Sequence, residues 1–180
     1  MNVEYQTNNS VEREASDHIE AGLAYECAEN WQAAENEYRQ VFALNPAWWV
    51  SRYSANNNLG YVLIQLEKFD EAANYCRAAI AINPERYNAH KNLGLALQGQ
   101  GNWKAAIYSF VEATRLNPAN ARAWQHLEYL IQARSNVLKQ YPELERLVAD
   151  IRAELEEAGY IQPPIEPSPM YRPMNVPVEH

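Results

Sequence analysis

"HKNLGLALQGQGNWKAAIYSFVEATRLNP", residues 90–118, carries apolar side chains at spacings of three and four through its first nine residues and again from Trp103 onward. That period marks two amphipathic helices. The "GNW" between them is a short turn, and its aromatic, Trp103, is placed to plug the angle of a helical hairpin. Asn117-Pro118 ends the second helix, because proline disfavours helix in the residue before it and cannot continue the hydrogen-bond ladder. Gly94 costs its helix about 1 kcal/mol relative to alanine. Close approach of the partner helix, which the small Ala106 permits, is the expected compensation.

The same hairpin occurs three times. Gly22, Gly60 and Gly94 each stand 12 residues before Ala34, Ala72 and Ala106, and these stand 12 residues before Pro46, Pro84 and Pro118. The turns "ENW" and "EKF" supply Trp31 and Phe69 where the third copy has Trp103. Self-similarity of this kind marks a stacked array, in which each unit buries its apolar face against its neighbours.

The pattern resembles the tetratricopeptide repeat (TPR), whose period is about 34 residues and whose motif runs W-x2-L-G-x2-Y, A-x3-F, then P. The matching residues are Ala21-Gly22, Leu59-Gly60 and Leu93-Gly94, with Tyr25, Leu63 and Leu97 after them. Ala34/Tyr38, Ala72/Cys76, Ala106/Phe110 and the three prolines complete the set. His18, Asn56 and His90 replace the leading tryptophan, as substitutions on a packing face. The resemblance covers about residues 15–118, as repeats near 15–46, 53–84 and 87–118. It implies an all-α, right-handed α-solenoid of three hairpins.

Residues 119–160 read as a capping hairpin. "ARAWQHLEYLIQARSNVLKQY" restarts the motif with Trp124 and Leu127, has Glu128 in place of glycine, and is expected to stay helical to Tyr141. A charged helix then ends at Gly159, a C-cap residue. A polar last hairpin keeps the final apolar face of a solenoid from water. Residues 1–12 read as an N-terminal tail, with Asn9 and Glu12 forming a capping box that starts the first helix near Ser10.

"NPAWWVSRYSANNNLGY", residues 45–61, breaks the spacing. Pro46 precedes Gly60 by 14 residues, whereas Pro84 precedes Gly94 by 10. The four extra residues add about one helical turn, roughly 6 Å. Periodicity favours Trp48 and Trp49 packing inward. The rival reading is an overhanging turn that presents an aromatic ledge to a partner or to this chain's own tail.

In the TPR family the first helices line the concave surface, so equivalent positions form ladders along a groove. The resemblance places Asn58, Asn92 and His126 on one ladder, and Asn57, Lys91 and Gln125 on the next. Tyr61, Leu95 and Tyr129 form a third, with Asn88, Arg122 and Gln65 nearby. An asparagine amide both donates and accepts, so it can hold a peptide group whatever that peptide's side chains. Tyr61 and Leu95 would add apolar contact, and Lys91 with Arg122 local positive charge. The lysine and asparagine clamp of TPR domains that bind heat-shock chaperone termini is incomplete here. An acidic or carboxylate-bearing ligand would still find Lys91, Asn92, Arg122 and His126.

The last 20 residues hold six prolines with Ile161, Ile165, Met170, Tyr171, Met174 and Val176. Proline at that density favours extended chain. The segment reads either as a free terminus or as an apolar strap docking through Met170 and Tyr171, as Trp48 and Trp49 would dock at their end.

Composition excludes several classes. A net charge of −8 argues against nucleic acid. No stretch approaches the roughly 18 apolar residues of a membrane span, and no signal peptide is evident. Cys27 and Cys76 lack metal-ligand spacing and read as reduced thiols. No nucleophile–base pair, phosphate loop or metal cluster appears, so neither enzymatic activity nor a cofactor is expected. The chain reads as a cytoplasmic adaptor or assembly chaperone holding an extended client peptide, with self-association open. The alternative is a permanent subunit of a larger complex, docked through its tail.

Overall fold

The computed structural model describes residues 3–161 apart from residue 135, with side chains described from residue 9 onward. Within that range the chain is helical throughout, without a strand. Three hairpins stack in order: α1 (Val3–Cys27) with α2 (Trp31–Leu44), α3 (Trp49–Gln65) with α4 (Phe69–Ile82), and α5 (Tyr87–Gly99) with α6 (Trp103–Leu116). Then α7 (Ala121–Ala133), the short α8 (Asn136–Gln140) and α9 (Pro142–Glu157) close the array. Met170 and Tyr171 lie outside the described residues.

Each hairpin turns the same way for the same reason. Glu29, Glu67 and Gly101, seven residues after the repeat glycines, adopt left-handed backbone with φ of 53°, 58° and 74°. That conformation lets Asn30, Lys68 and Asn102 donate their N–H groups to the carbonyls of Tyr25, Leu63 and Leu97, which the helix end leaves open. Asn30 and Asn102 then cap the second helices, their side chains accepting from Ala33 N and Ala105 N. Trp31, Phe69 and Trp103 pack at the turns against the shared core.

The repeat glycines are explained by close approach. A Cβ at Gly22 would sit 2.6 Å from the Tyr38 ring, at Gly60 2.7 Å from Cys76 Sγ, and at Gly94 2.6 Å from the Phe110 ring. The facing residue is the sixteenth after the glycine each time, so helix cost and packing gain repeat in register. Burial pushes the Cys76 thiol up to about 12. Both cysteines are free.

Two helix boundaries differ from the sequence reading. The first helix reaches back to Val3, so Asn9 and Glu12 lie inside it rather than at its cap. Glu12 is buried and serves a different helix, as described below. The seventh helix stops at Ala133 instead of continuing to Tyr141. Arg134 leaves helical backbone there, and its guanidinium stacks 4.6 Å from the Trp103 ring centroid. The break allows Val137 of α8 into the core and turns the chain back for α9.

α9 buries Leu144, Val148, Ile151 and Leu155, spaced by three and four, and leaves its acidic residues outside. Lys104 pairs with Glu143 at 2.6 Å and Arg115 with Glu154 at 3.7 Å. The two pairs join first turn to first turn and last turn to last turn, so α9 runs parallel to α6. Gly159, at φ 72°, closes it. No helix among the described residues is long and apolar enough to cross a membrane.

Candidate functional site

The first helices α1, α3, α5 and α7 lie side by side, and the ladder residues of α3, α5 and α7 converge on one face. Tyr61 of α3 stands at its centre. The Trp31 ring meets it edge-on at 6.1 Å, and Lys91 Nζ of α5 lies 6.0 Å from its centroid. On α7, Arg122 and His126 are one turn apart, and the His126 ring stacks on Phe110 at 5.6 Å with 16° between planes.

These cations crowd one another. Burial and then the neighbouring Arg122 guanidinium push the Lys91 amine below its ordinary range. Burial, Lys91 and Arg122 together push His126 down to about 4, so its imidazole is neutral at physiological pH. Among the described residues, neither Lys91 nor Arg122 pairs with a carboxylate. Several other cations do: Arg39 binds Glu35 and Glu71, Lys68 binds Glu35, and Arg152 binds Glu128. An anion at this face would relieve repulsion that the fold alone leaves in place.

The asparagines behave differently from the ladder reading. Asn92 is only 3% exposed, and its Nδ2 donates to Oδ1 of Asn57 at 3.2 Å and to the Asn57 carbonyl at 3.4 Å. Asn57 Nδ2 in turn donates to Asn58 Oδ1 at 2.9 Å. The Asn58 side chain lies beside the Tyr38 hydroxyl, which donates to Glu26 Oε1. A polar relay thus runs from α1 through α2 and α3 to α5. One atom is left over: Asn92 Oδ1 is buried without a hydrogen-bond partner. Leu95 belongs to the core rather than the groove surface. Asn88, Arg122 and Gln125 are exposed, and Gln65 and Tyr129 are half-buried beside the same face.

Trp48 and Trp49 do not pack inward. They are 58% and 48% exposed, and Val50 is 51% exposed, which makes one continuous apolar ledge at the start of α3. The helix begins at Trp49, so the extra turn overhangs the array instead of extending the packed face. Trp48 occupies the N-cap and has no side-chain acceptor for the free N–H groups there. Glu12 of α1 supplies one, accepting from Trp48 N at 2.8 Å and from Ser51 Oγ at 2.9 Å. Sequence reasoning missed this role. The available signal was the helix start "PAWWV" itself, which places none of the usual N-cap residues at the cap and so requires an acceptor from elsewhere.

Models of the tetratricopeptide repeat match residues 19–87 and 63–127. A curated relative from Dictyostelium discoideum, DnaJ homolog subfamily C member 7 homolog, is 24% identical over 121 residues. The match takes in 67% of this chain and 22% of that protein, so the chain spans about a fifth of its length. Among solved structures, the Arabidopsis OM64 TPR domain aligns with a TM-score of 0.62 at 23% identity, covering 68% of this chain and 98% of that one. The first TPR of Spaghetti (RPAP3), bound to the HSP90 peptide SRMEEVD, aligns with a TM-score of 0.61 at 23% identity, covering 68% and 94%. Identities this low establish a shared fold.

Proposed function

Because this chain belongs to the tetratricopeptide-repeat family, an interaction module by fold, we propose that it holds an extended, acidic segment of a client protein across its concave face. The observation that carries this reading is the pair of neighbouring cations, Lys91 and Arg122, without a carboxylate partner among the described residues in a chain of net charge −8. Lys91 and Arg122 neutralise a carboxylate of the client. Tyr61, next to Trp31 and Lys91, offers an aromatic surface beside them. The solved Spaghetti groove, bound to a peptide ending in EEVD, is a likeness that supports an acidic ligand class. The role is that of an adaptor or assembly chaperone, with no covalent step.

Tagged co-purification from the native cell tests it, comparing the intact chain with Lys91→Glu/Arg122→Glu. The expected result is a partner that dissociates as salt rises and is lost with the charge-reversed chain. Retention of every partner by that variant, with the helical content of the chain intact, would sink the groove as the working site.

A further inference from the structure

The ledge of Trp48, Trp49 and Val50 is not used by the groove, and its backbone is tied to α1. Glu12 of α1 accepts from Trp48 N and Ser51 Oγ, which anchors the helix start that carries the two indoles. An exposed, pre-ordered aromatic pair is the usual seat for proline-rich extended chain, because the proline rings pack flat on aromatic faces and little conformational entropy is lost.

Such a chain follows in this same protein. Beyond Ile161 come 19 residues with six prolines and the apolar Ile165, Met170, Tyr171, Met174, Val176 and Val178. The fold decides where it departs. α9 runs parallel to α6, with Arg115 and Glu154 joining their last turns. Ile161 therefore emerges on the edge of the array that carries the loops between hairpins. The ledge is on that edge too. Stepping along it, Asn120 at the start of α7 donates to the Tyr87 hydroxyl at the start of α5 at 2.8 Å. Arg86, just before α5, lies 6.0 Å over the Tyr53 ring in the first turns of α3. Trp49 begins that helix.

Distance decides whether the tail reaches. Packed helices lie about 8–10 Å apart. α9 meets α7 where Arg152 pairs with Glu128 and lies over Trp124, so the three steps from α9 through α7 and α5 to α3 come to ~24–30 Å. From Ile161 to Met170 or Tyr171 is nine or ten residues, which span ~28–31 Å as polyproline-like chain at about 3.1 Å each. We infer that the proline-rich segment of residues 162–180 crosses the loop edge of its own solenoid and seats Met170 and Tyr171, with their flanking prolines, on the Trp48–Trp49 ledge.

A spin label tests this on the full chain. Ser168→Cys is labelled in a Cys27→Ser background, which leaves the buried Cys76 as the other thiol. Indole N–H signals of the five tryptophans are then recorded. The expected result is strong broadening of Trp48 and Trp49, with Trp31, Trp103 and Trp124 sharp, and the same indole pair shifting in an unlabelled Met170→Ser/Tyr171→Ser chain. A mixture of isotope-labelled chain lacking the spin label with unlabelled spin-labelled chain distinguishes the source of the tail. Broadening that appears in this mixture as strongly as in the single chain assigns the ledge to a second copy and overturns docking in cis. Sharp Trp48 and Trp49 signals in the spin-labelled chain, unshifted by the tail substitutions, leave the ledge to a foreign partner and also overturn it. Neither outcome depends on Lys91 or Arg122, so failure here would leave the groove reading standing.

Discussion

Asn92 of α5 donates both to the side chain and to the backbone carbonyl of Asn57 of α3, which ties two neighbouring first helices together through a residue 3% exposed. The asparagine ladder is therefore first a structural seam. Asn92→Ala is expected to cost about 1–2 kcal/mol of stability, since Asn57 loses its donor in a buried setting. Urea denaturation followed by circular dichroism measures it. A loss below about 0.3 kcal/mol would mean that the seam contributes little.

Lys91 behaves in the opposite sense. It is half-buried beside the like charge of Arg122, so Lys91→Met should hold or raise the denaturation midpoint while weakening capture of an acidic partner. Measuring the two quantities side by side separates a binding residue from a structural one. A variant that loses stability and binding together contradicts the assignment.

Gly94 sets two effects against each other. Alanine there gains about 1 kcal/mol of helix propensity, but its Cβ would stand 2.6 Å from the Phe110 ring. Overpacking of this kind costs about 1–3 kcal/mol, and the ring has no free space to enter because Phe110 is fully buried. Gly94→Ala is expected to destabilise on balance by about 1 kcal/mol. Adding Phe110→Leu should cost less in that background than in the parent chain, which a double-mutant cycle reads directly.

Glu12 holds the start of α3 from a distance of 36 residues in sequence. Glu12→Ala removes acceptors for Trp48 N and Ser51 Oγ and should cost about 1–3 kcal/mol. Amide hydrogen exchange gives the more specific signature. The Trp48 amide should exchange faster in the variant, while amides in α5 and α6 keep their protection relative to global unfolding.

His126 makes stability depend on pH. Its folded-state pKa is depressed to about 4 from 6.5, so the unfolded chain takes up the proton first. Stability is unaffected above about pH 6.5 and falls as pH drops from there towards 4, by ~3 kcal/mol at most. His126→Gln should flatten that part of the profile, measured as urea midpoints near pH 7 and pH 5. An anion seated beside Lys91 and Arg122 would raise the His126 pKa, so its binding should tighten over the same interval. Binding that weakens steadily there would contradict the proposed site.

The sequence by itself determined the architecture of this protein. Gly22, Gly60 and Gly94 with Ala34, Ala72 and Ala106 and the three closing prolines mark local events: a close helix approach, a hairpin, a helix stop. Repeated local events add up to a stacked array, because each hairpin meets only its neighbours. The position of Lys91, Arg122 and His126 on one face was legible for the same reason, since equivalent residues of successive first helices must align. Only the tertiary structure decided which groups are already taken. The pairing of Asn92 with Asn57 is set by packing between helices, and so is the service of Glu12 to Trp48. The overhang of Trp48 and Trp49 and the early end of α7 beside Trp103 depend on contacts between residues that are far apart in sequence. Helical period tells which way a side chain points, but a hydrogen bond between helices depends on angstrom-scale distances that no period contains.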